Sequence, residues 1–340
     1  MAGYAGETMN VFAVTPAVLV PLHAKPDDAV DPLVGAKYFT AWEFPWWIVL
    51  SLTLMCAAYL WGVHVLHRRG DRWSGWRTAS FLTGQGFLAI AMFSFLGAYD
   101  TVLFWTHMIQ HMVLNMVAPV FLVASAPVTL ALRTLPHGAR GVLLRVIHSW
   151  PAKVLLFPGL TLGLMVASPF LLYLTGWYDL TLRVDLHHDL LHIYMVVVGC
   201  LFFMPLLGPD PHPYRIPYPL RIVMFILTMP FHAWLGVIIM GSKRLISEEW
   251  YLAFERDWGL NPLRDQEVAG GLMWATGDIT MLAGMIVIFV KWLQDSQREA
   301  RRVDRKLDRE EARARAAAVR AQGLDSPETL DRSTKDGTDD

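Results

Sequence analysis

The stretch TVLFWTHMIQHMVLNMVAPVFLVASAPVTLAL, residues 101–132, contains no Asp, Glu, Lys or Arg. An α-helix needs about 20 apolar residues to cross a ~30 Å hydrocarbon core, so this run is long enough to span with tilt or with a bend at Pro119. Six further runs of comparable character lie at 45–63, 78–99, 154–178, 190–209, 222–240 and 268–290, the last interrupted only by Asp278. Pro119, Pro158, Pro169 and Pro230 would break a soluble helix, but neighbouring helices re-satisfy the freed backbone groups inside a membrane bundle. The expected fold is an all-α integral membrane protein of about seven transmembrane helices.

Composition agrees once it is resolved along the chain. The 340 residues carry a net charge of −1, with 54% hydrophobic and 17% charged residues. Residues 291–340 hold 24 of the 59 Asp, Glu, Lys and Arg. The first 290 residues are therefore about half as charged as the ~25% of a soluble domain. So apolar and evenly charged a chain is no nucleic-acid binder, and its partner surface is membrane lipid. Two cysteines, Cys56 and Cys200, are too few for a disulfide scaffold, a cysteine zinc finger or a four-cysteine iron–sulfur cluster.

Lys and Arg placement predicts the orientation. Arg68, Arg69, Arg72 and Arg77 follow the first run, and Arg133, Arg140, Arg145 and Lys153 follow the third. Both segments read as cytoplasmic. The segments 179–189 and 241–267 hold more acids than bases and read as external, as does the corner at Asp100. The predicted topology puts the N-terminus outside and the C-terminus in the cytoplasm. It divides the chain into an external N-terminal segment (1–44), a seven-span domain (45–293), a charged cytoplasmic helix (294–322) and a disordered tail (323–340).

Ionisable groups inside a bilayer are expensive and mark functional sites. His107 and His111 form an H-x-x-x-H pair in the third run. His187, His188 and His192 open the fifth, His232 lies in the sixth and Asp278 in the seventh. From the external helix ends His107 and His192 fall roughly 10 Å deep, and His111, His232 and Asp278 roughly 15 Å, at 1.5 Å rise per residue. Residues four apart share a helix face, so His107 with His111, and His188 with His192, can each point to one side. Two such helices facing each other make a metal site, for which the candidate ligands are His107, His111, His188, His192, His232 and Asp278. Imidazole suits Zn, Cu, Fe and Ni, and thioethers favour Cu(I). Met108 and Met112, next to the histidine stripe, are secondary candidate ligands and tilt the expectation towards Cu(I).

The segment Trp105-Thr-His-Met-Ile-Gln-His-Met-Val-Leu-Asn-Met-Val-Ala-Pro119, followed by Ala126-Pro127-Val-Thr-Leu-Ala-Leu-Arg133, resembles the hallmark of the multi-span caa3-type cytochrome c oxidase assembly factor family, CtaG. His188-Asp-Leu-Leu-His192, continuing to Gly199-Cys-Leu-Phe-Phe-Met-Pro205-Leu-Leu-Gly208, resembles that family's second histidine-bearing helix. The resemblance extends from about Trp46 to Trp292. It implies a multi-pass protein of the bacterial plasma membrane that is not an enzyme. In that role it would help mature haem–copper oxidase, supplying copper to the catalytic subunit of cytochrome c oxidase. Two other classes compete. One is a membrane-embedded metal-dependent enzyme using Zn or Fe, and the other is a haem-binding membrane protein with two axial histidines. A retinal receptor is disfavoured, because the seventh run has no buried lysine.

Overall fold

A computed structural model describes residues 23–214 and 216–321; the first 22 residues and the tail from 322 onward, including the segment expected to be disordered, lie outside it. Among the described residues there is no strand. Among the described residues six helices are long and apolar enough to cross a membrane, and a bent helix pair brings the number to seven if it counts as one span. The spans are α1 (Trp46–Arg68), α2 (Gly75–Ala98), α3 (Phe104–Thr134), α4 (Pro158–Leu174), α5 (Asp185–Leu207), α6 (Tyr218–Gly241) and α7, which begins at Pro262. The protein is an all-helical, multi-pass membrane protein, as the uncharged runs predict.

The α4 span is where the run of apolar residues conceals a feature. Its helix stops at Leu174, and after an extended Thr175 a short helix, Trp177–Arg183, leaves at 71°. Thr175 gives its side chain to the Leu171 carbonyl and so terminates the helix from within. Hydropathy reports only that residues 154–178 are apolar.

The central helix, α3, is held at both ends by aspartates distant in sequence. At its start, the Asp265 carboxylate of α7 accepts from the Phe104 and Trp105 amides at 3.0 and 2.9 Å, and Arg256 reaches the same carboxylate at 3.3 Å. Helix N-termini expose unpaired N–H groups and favour negative charge, so a buried carboxylate there satisfies both. Near its end, α3 breaks at Ala126, which adopts a left-handed φ of 57° ahead of Pro127. A residue before proline is disfavoured in the right-handed helical region, which explains the break. Asp210, in the segment after α5, caps the restart by accepting from the Val128 and Thr129 amides at 3.0 and 2.7 Å.

Between these ends α3 widens into one π-helical turn, Val113–Val117. Pro119 has no amide to give the Asn115 carbonyl four residues earlier, and its ring crowds that carbonyl. Here α5 crosses at its closest. A Cβ on Gly199 would lie 2.1 Å from the Asn115 carbonyl oxygen and 2.6 Å from the Pro119 ring. Only glycine permits this approach, which sets the α3–α5 spacing one to two turns below the histidines.

The C-terminal helix continues without interruption to Ala321. From Lys291 to Ala318 its side chains are exposed, with ion pairs three or four residues apart such as Arg298–Asp295 and Arg315–Glu311. Such pairs each contribute about 0.3–0.5 kcal/mol to a solvated helix.

Candidate functional site

Four of the sequence-predicted ligands come together. His107 and His111 on α3, and His188 and His192 on α5, are all buried. The rings of His107 and His188 are 6.0 Å apart across the two helices, and those of His188 and His192 are 4.7 Å apart along α5. The Tyr173 hydroxyl at the end of α4 lies 3.1 Å from His107 Nε2 and 2.6 Å from His111 Nδ1. A hydroxyl has one proton, so it donates to one ring and accepts from the other, tying the pair into a fixed orientation.

Two residues that the helical spacing does not reveal complete the cluster. Asp100, in the corner between α2 and α3, is fully buried and accepts from His188 Nε2 at 3.1 Å, with His192 Nε2 at 3.5 Å. His23, from the segment before α1, packs its ring against that of His188, tilted by 52° with the centroids 4.3 Å apart. Its Nδ1 is 3.4 Å from Asp100 and its Nε2 is 3.3 Å from Asp189. This segment is strapped over the corner: Thr101 Oγ1 donates to the Ala24 carbonyl at 2.8 Å, the Tyr99 hydroxyl donates to the Asp31 carbonyl at 2.9 Å, and Lys25 pairs with Asp185 at 3.2 Å. His23, Asp100 and His188 each offer a ligand atom within 4.8 Å of the others, a spacing one metal ion can bridge.

The polar atoms of the cluster are incompletely satisfied. His192 Nε2 donates to Gln110 Oε1 at 3.1 Å, and Gln110 is oriented by its own donation to the Ala91 carbonyl. The Nδ1 atoms of His107, His188 and His192 are buried without a hydrogen-bond partner, while His23 Nδ1 and Asp100 Oδ1 face only each other, at 3.4 Å. Buried polar atoms are nearly always paired, so three unpartnered imidazole nitrogens in one cluster leave lone pairs or protons open to a ligand. For His188 and His192, donation from Nε2 places the neutral ring's lone pair on Nδ1. A metal-binding histidine is commonly oriented in this way, by donating from its other ring nitrogen to a carboxylate or carbonyl oxygen.

Electrostatics concentrate on the corner. Burial opposes charge on His23, but Asp100 and then Asp189 outweigh it and raise the imidazole to about 10. Burial likewise pushes Asp100 up, yet the adjacent His188 and His23 hold its carboxyl well below the usual range. An imidazolium–carboxylate pair therefore occupies the corner, and any cation bound there would have to displace the His23 proton.

The remaining predicted ligands sit differently. His232 on α6 directs Nδ1 to the Thr228 carbonyl at 3.3 Å and packs beside Gly277 of α7. Asp278 is part-exposed, and its Oδ2 accepts from Trp274 one turn back on its own helix at 3.1 Å. Met108 approaches the Tyr173 hydroxyl at 3.9 Å, while the Met112 methyl lies nearest Gly277. Asp100 did leave a sequence signal, being the sole charged residue between Arg77 and Arg133. His23 left none, because only the folded strap brings it to the cluster.

The fold and cluster together define a multi-pass helical membrane protein with a buried histidine–carboxylate cluster near one end of its bundle. The chain matches the cytochrome c oxidase caa3 assembly factor family (Caa3_CtaG) over residues 57–295 and belongs to that family. It is a multi-pass protein of the bacterial plasma membrane. It is 34% identical over 285 residues to uncharacterized proteins of Mycobacterium bovis and Mycobacterium tuberculosis, covering 82% of this chain and 43% of each relative. An uncharacterized protein of Mycobacterium leprae is 32% identical over 279 residues, covering 80% of this chain and 42% of its own length. The aligned part of this chain thus spans less than half the length of these relatives. No solved structure matches the chain.

Proposed function

We propose that this protein is a non-catalytic assembly factor for cytochrome c oxidase that binds copper in its buried histidine cluster and supplies it to the oxidase catalytic subunit. Family membership supports the assembly role. The observation that carries the copper reading is the juxtaposition of His23, Asp100 and His188 within 4.8 Å, flanked by unpartnered imidazole nitrogens of His107 and His192. Copper is cargo in this reading. The imidazoles of His107 and His111, with the Met108 thioether beside them, suit Cu(I), so no change of oxidation state is required. With the N-terminus outside, as the Lys and Arg placement predicts, the corner would face the external side, where the receiving copper centre would be loaded.

The donor set of two histidines and one carboxylate also suits Zn(II), and this specific feature keeps a zinc-dependent reading in view. One pair of experiments separates the two. Metal analysis of the purified protein is expected to give copper at a fixed stoichiometry that is lost in His188→Ala and Asp100→Ala. A deletion strain is expected to lose oxidase activity and to regain part of it with added copper. Stoichiometric zinc, or full oxidase activity without the protein, overturns the proposal.

A further inference from the structure

We propose that a lateral cavity between α3, α4 and α5 binds the headgroup of a neutral, lipophilic phenol of the quinol type. The cavity, open on one side, has a volume of about 290 Å³ and is lined on both sides of the break at Thr175, where the continuation of α4 leaves at 71°. An enclosed apolar volume of ~150 Å³ accommodates benzene, so this space admits a substituted ring. Its walls are mostly apolar, with Leu172, Leu191 and Met195 inside, and Ser168, Thr181 and His187 add polar atoms to the lining. Leu171, Leu190 and Trp177 lie at the mouth, and all three are exposed on the surface that lipid covers.

Two polar residues of α3 line the cavity and select the headgroup. His111 has its Nδ1 occupied by Tyr173, leaving Nε2 as its remaining nitrogen. Asn115, four residues on, is 2% exposed, and its Oδ1 has no hydrogen-bond partner. Its amide nitrogen meets only the Met165 sulfur at 3.7 Å. An unpaired buried acceptor requires a donor, which a hydrocarbon chain does not supply. Asn115 lies eleven residues beyond Phe104, about 16 Å into α3 at 1.5 Å per residue, near the middle of a ~30 Å core. An ionic or zwitterionic lipid headgroup is too expensive at that depth, whereas an uncharged hydroxyl-bearing ring with an apolar tail is not. The donor requirement further favours the reduced form, since a quinone offers only acceptors to Asn115 Oδ1.

This inference does not depend on copper, and its test uses the full chain, metal-free, in detergent. Calorimetric titration with a short-tailed benzoquinol under anaerobic conditions is compared with the matching quinone and with the quinol's dimethyl ether. Saturable binding of the quinol is expected, with both comparators at least tenfold weaker. Asn115→Leu is expected to weaken quinol binding at least tenfold and to erase the difference between quinol and ether. Equal affinity for all three probes, which marks the cavity as an acyl-chain groove, overturns the proposal, as does absence of quinol binding. Unchanged quinol affinity in a folded Asn115→Leu protein does the same; if that variant does not fold, the three-probe comparison on the unaltered chain decides alone.

Discussion

His188 on α5 donates from Nε2 to the Asp100 carboxylate at 3.1 Å, with both side chains about 1% exposed and 88 positions apart in the chain. The bond joins the helix that carries one histidine pair to the corner that leads into the other. It also orients the His188 ring with Nδ1 unpaired. Asp100→Asn preserves the shape of the side chain and removes its charge. Outer partners of ligating histidines typically control 10–100-fold in metal affinity, and here the carboxylate is itself a candidate ligand, so a loss of at least about 10–100-fold is expected. Asp278→Asn should leave affinity unchanged, because Asp278 hydrogen-bonds Trp274 rather than a histidine. Copper titration of the two variants checks both, and equal effects would contradict the site geometry.

The same corner predicts a pH dependence of stability in the metal-free protein. His23 is raised from 6.5 to about 10 by Asp100 and Asp189 acting against burial. A basic group raised on folding contributes its stabilisation in full below its unfolded value and loses it as pH rises through the folded one. The contribution from His23 is therefore complete below about pH 6.5 and declines towards pH 10. Thermal midpoints of metal-free protein across that window should fall with pH, and Asp100→Asn should flatten the slope. A flat profile in the unaltered protein would contradict the ion pair.

Much of this was legible in the sequence, for reasons that also mark where it stopped. Uncharged runs locate the spans because hydrocarbon excludes charge, and the four-residue spacing of His107–His111 and His188–His192 places each pair on one helix face. Both are local, periodic signals. The 71° break after Leu174 is not, since Thr175 and Gly176 interrupt neither length nor polarity. His23 belongs to a segment with no helical period, and only tertiary contacts through Thr101, Tyr99 and Asp185 deliver it to the cluster. Asp278 looked equivalent to the histidines because depth was readable from the sequence and azimuth was not.

Asp210 tests whether stability and the site can be separated. It accepts from the Val128 and Thr129 amides at the far end of α3 from His107, and from the Thr129 hydroxyl as well. Loss of a helix cap costs about 0.5–2 kcal/mol. Asp210→Ala should therefore lower the thermal midpoint while copper stoichiometry stays as in the unaltered protein. Loss of copper without loss of stability would mean that this carboxylate acts at the site.

Gly199→Ala should couple the two instead. Its added Cβ would fall 2.1 Å from the Asn115 carbonyl oxygen, which is backbone and lies in the π-helical turn, so the helices must separate. Overpacking of this kind costs about 1–3 kcal/mol. Because His107 and His111 ride on α3 while His188 and His192 ride on α5, the same displacement spreads the ligand nitrogens. Thermal midpoint and copper affinity should fall together, whereas Cys200→Ala at the next, half-buried position should change neither appreciably. An unaltered affinity in Gly199→Ala would show that the cluster draws its ligands from one helix and the Asp100 corner, and does not depend on the α3–α5 spacing.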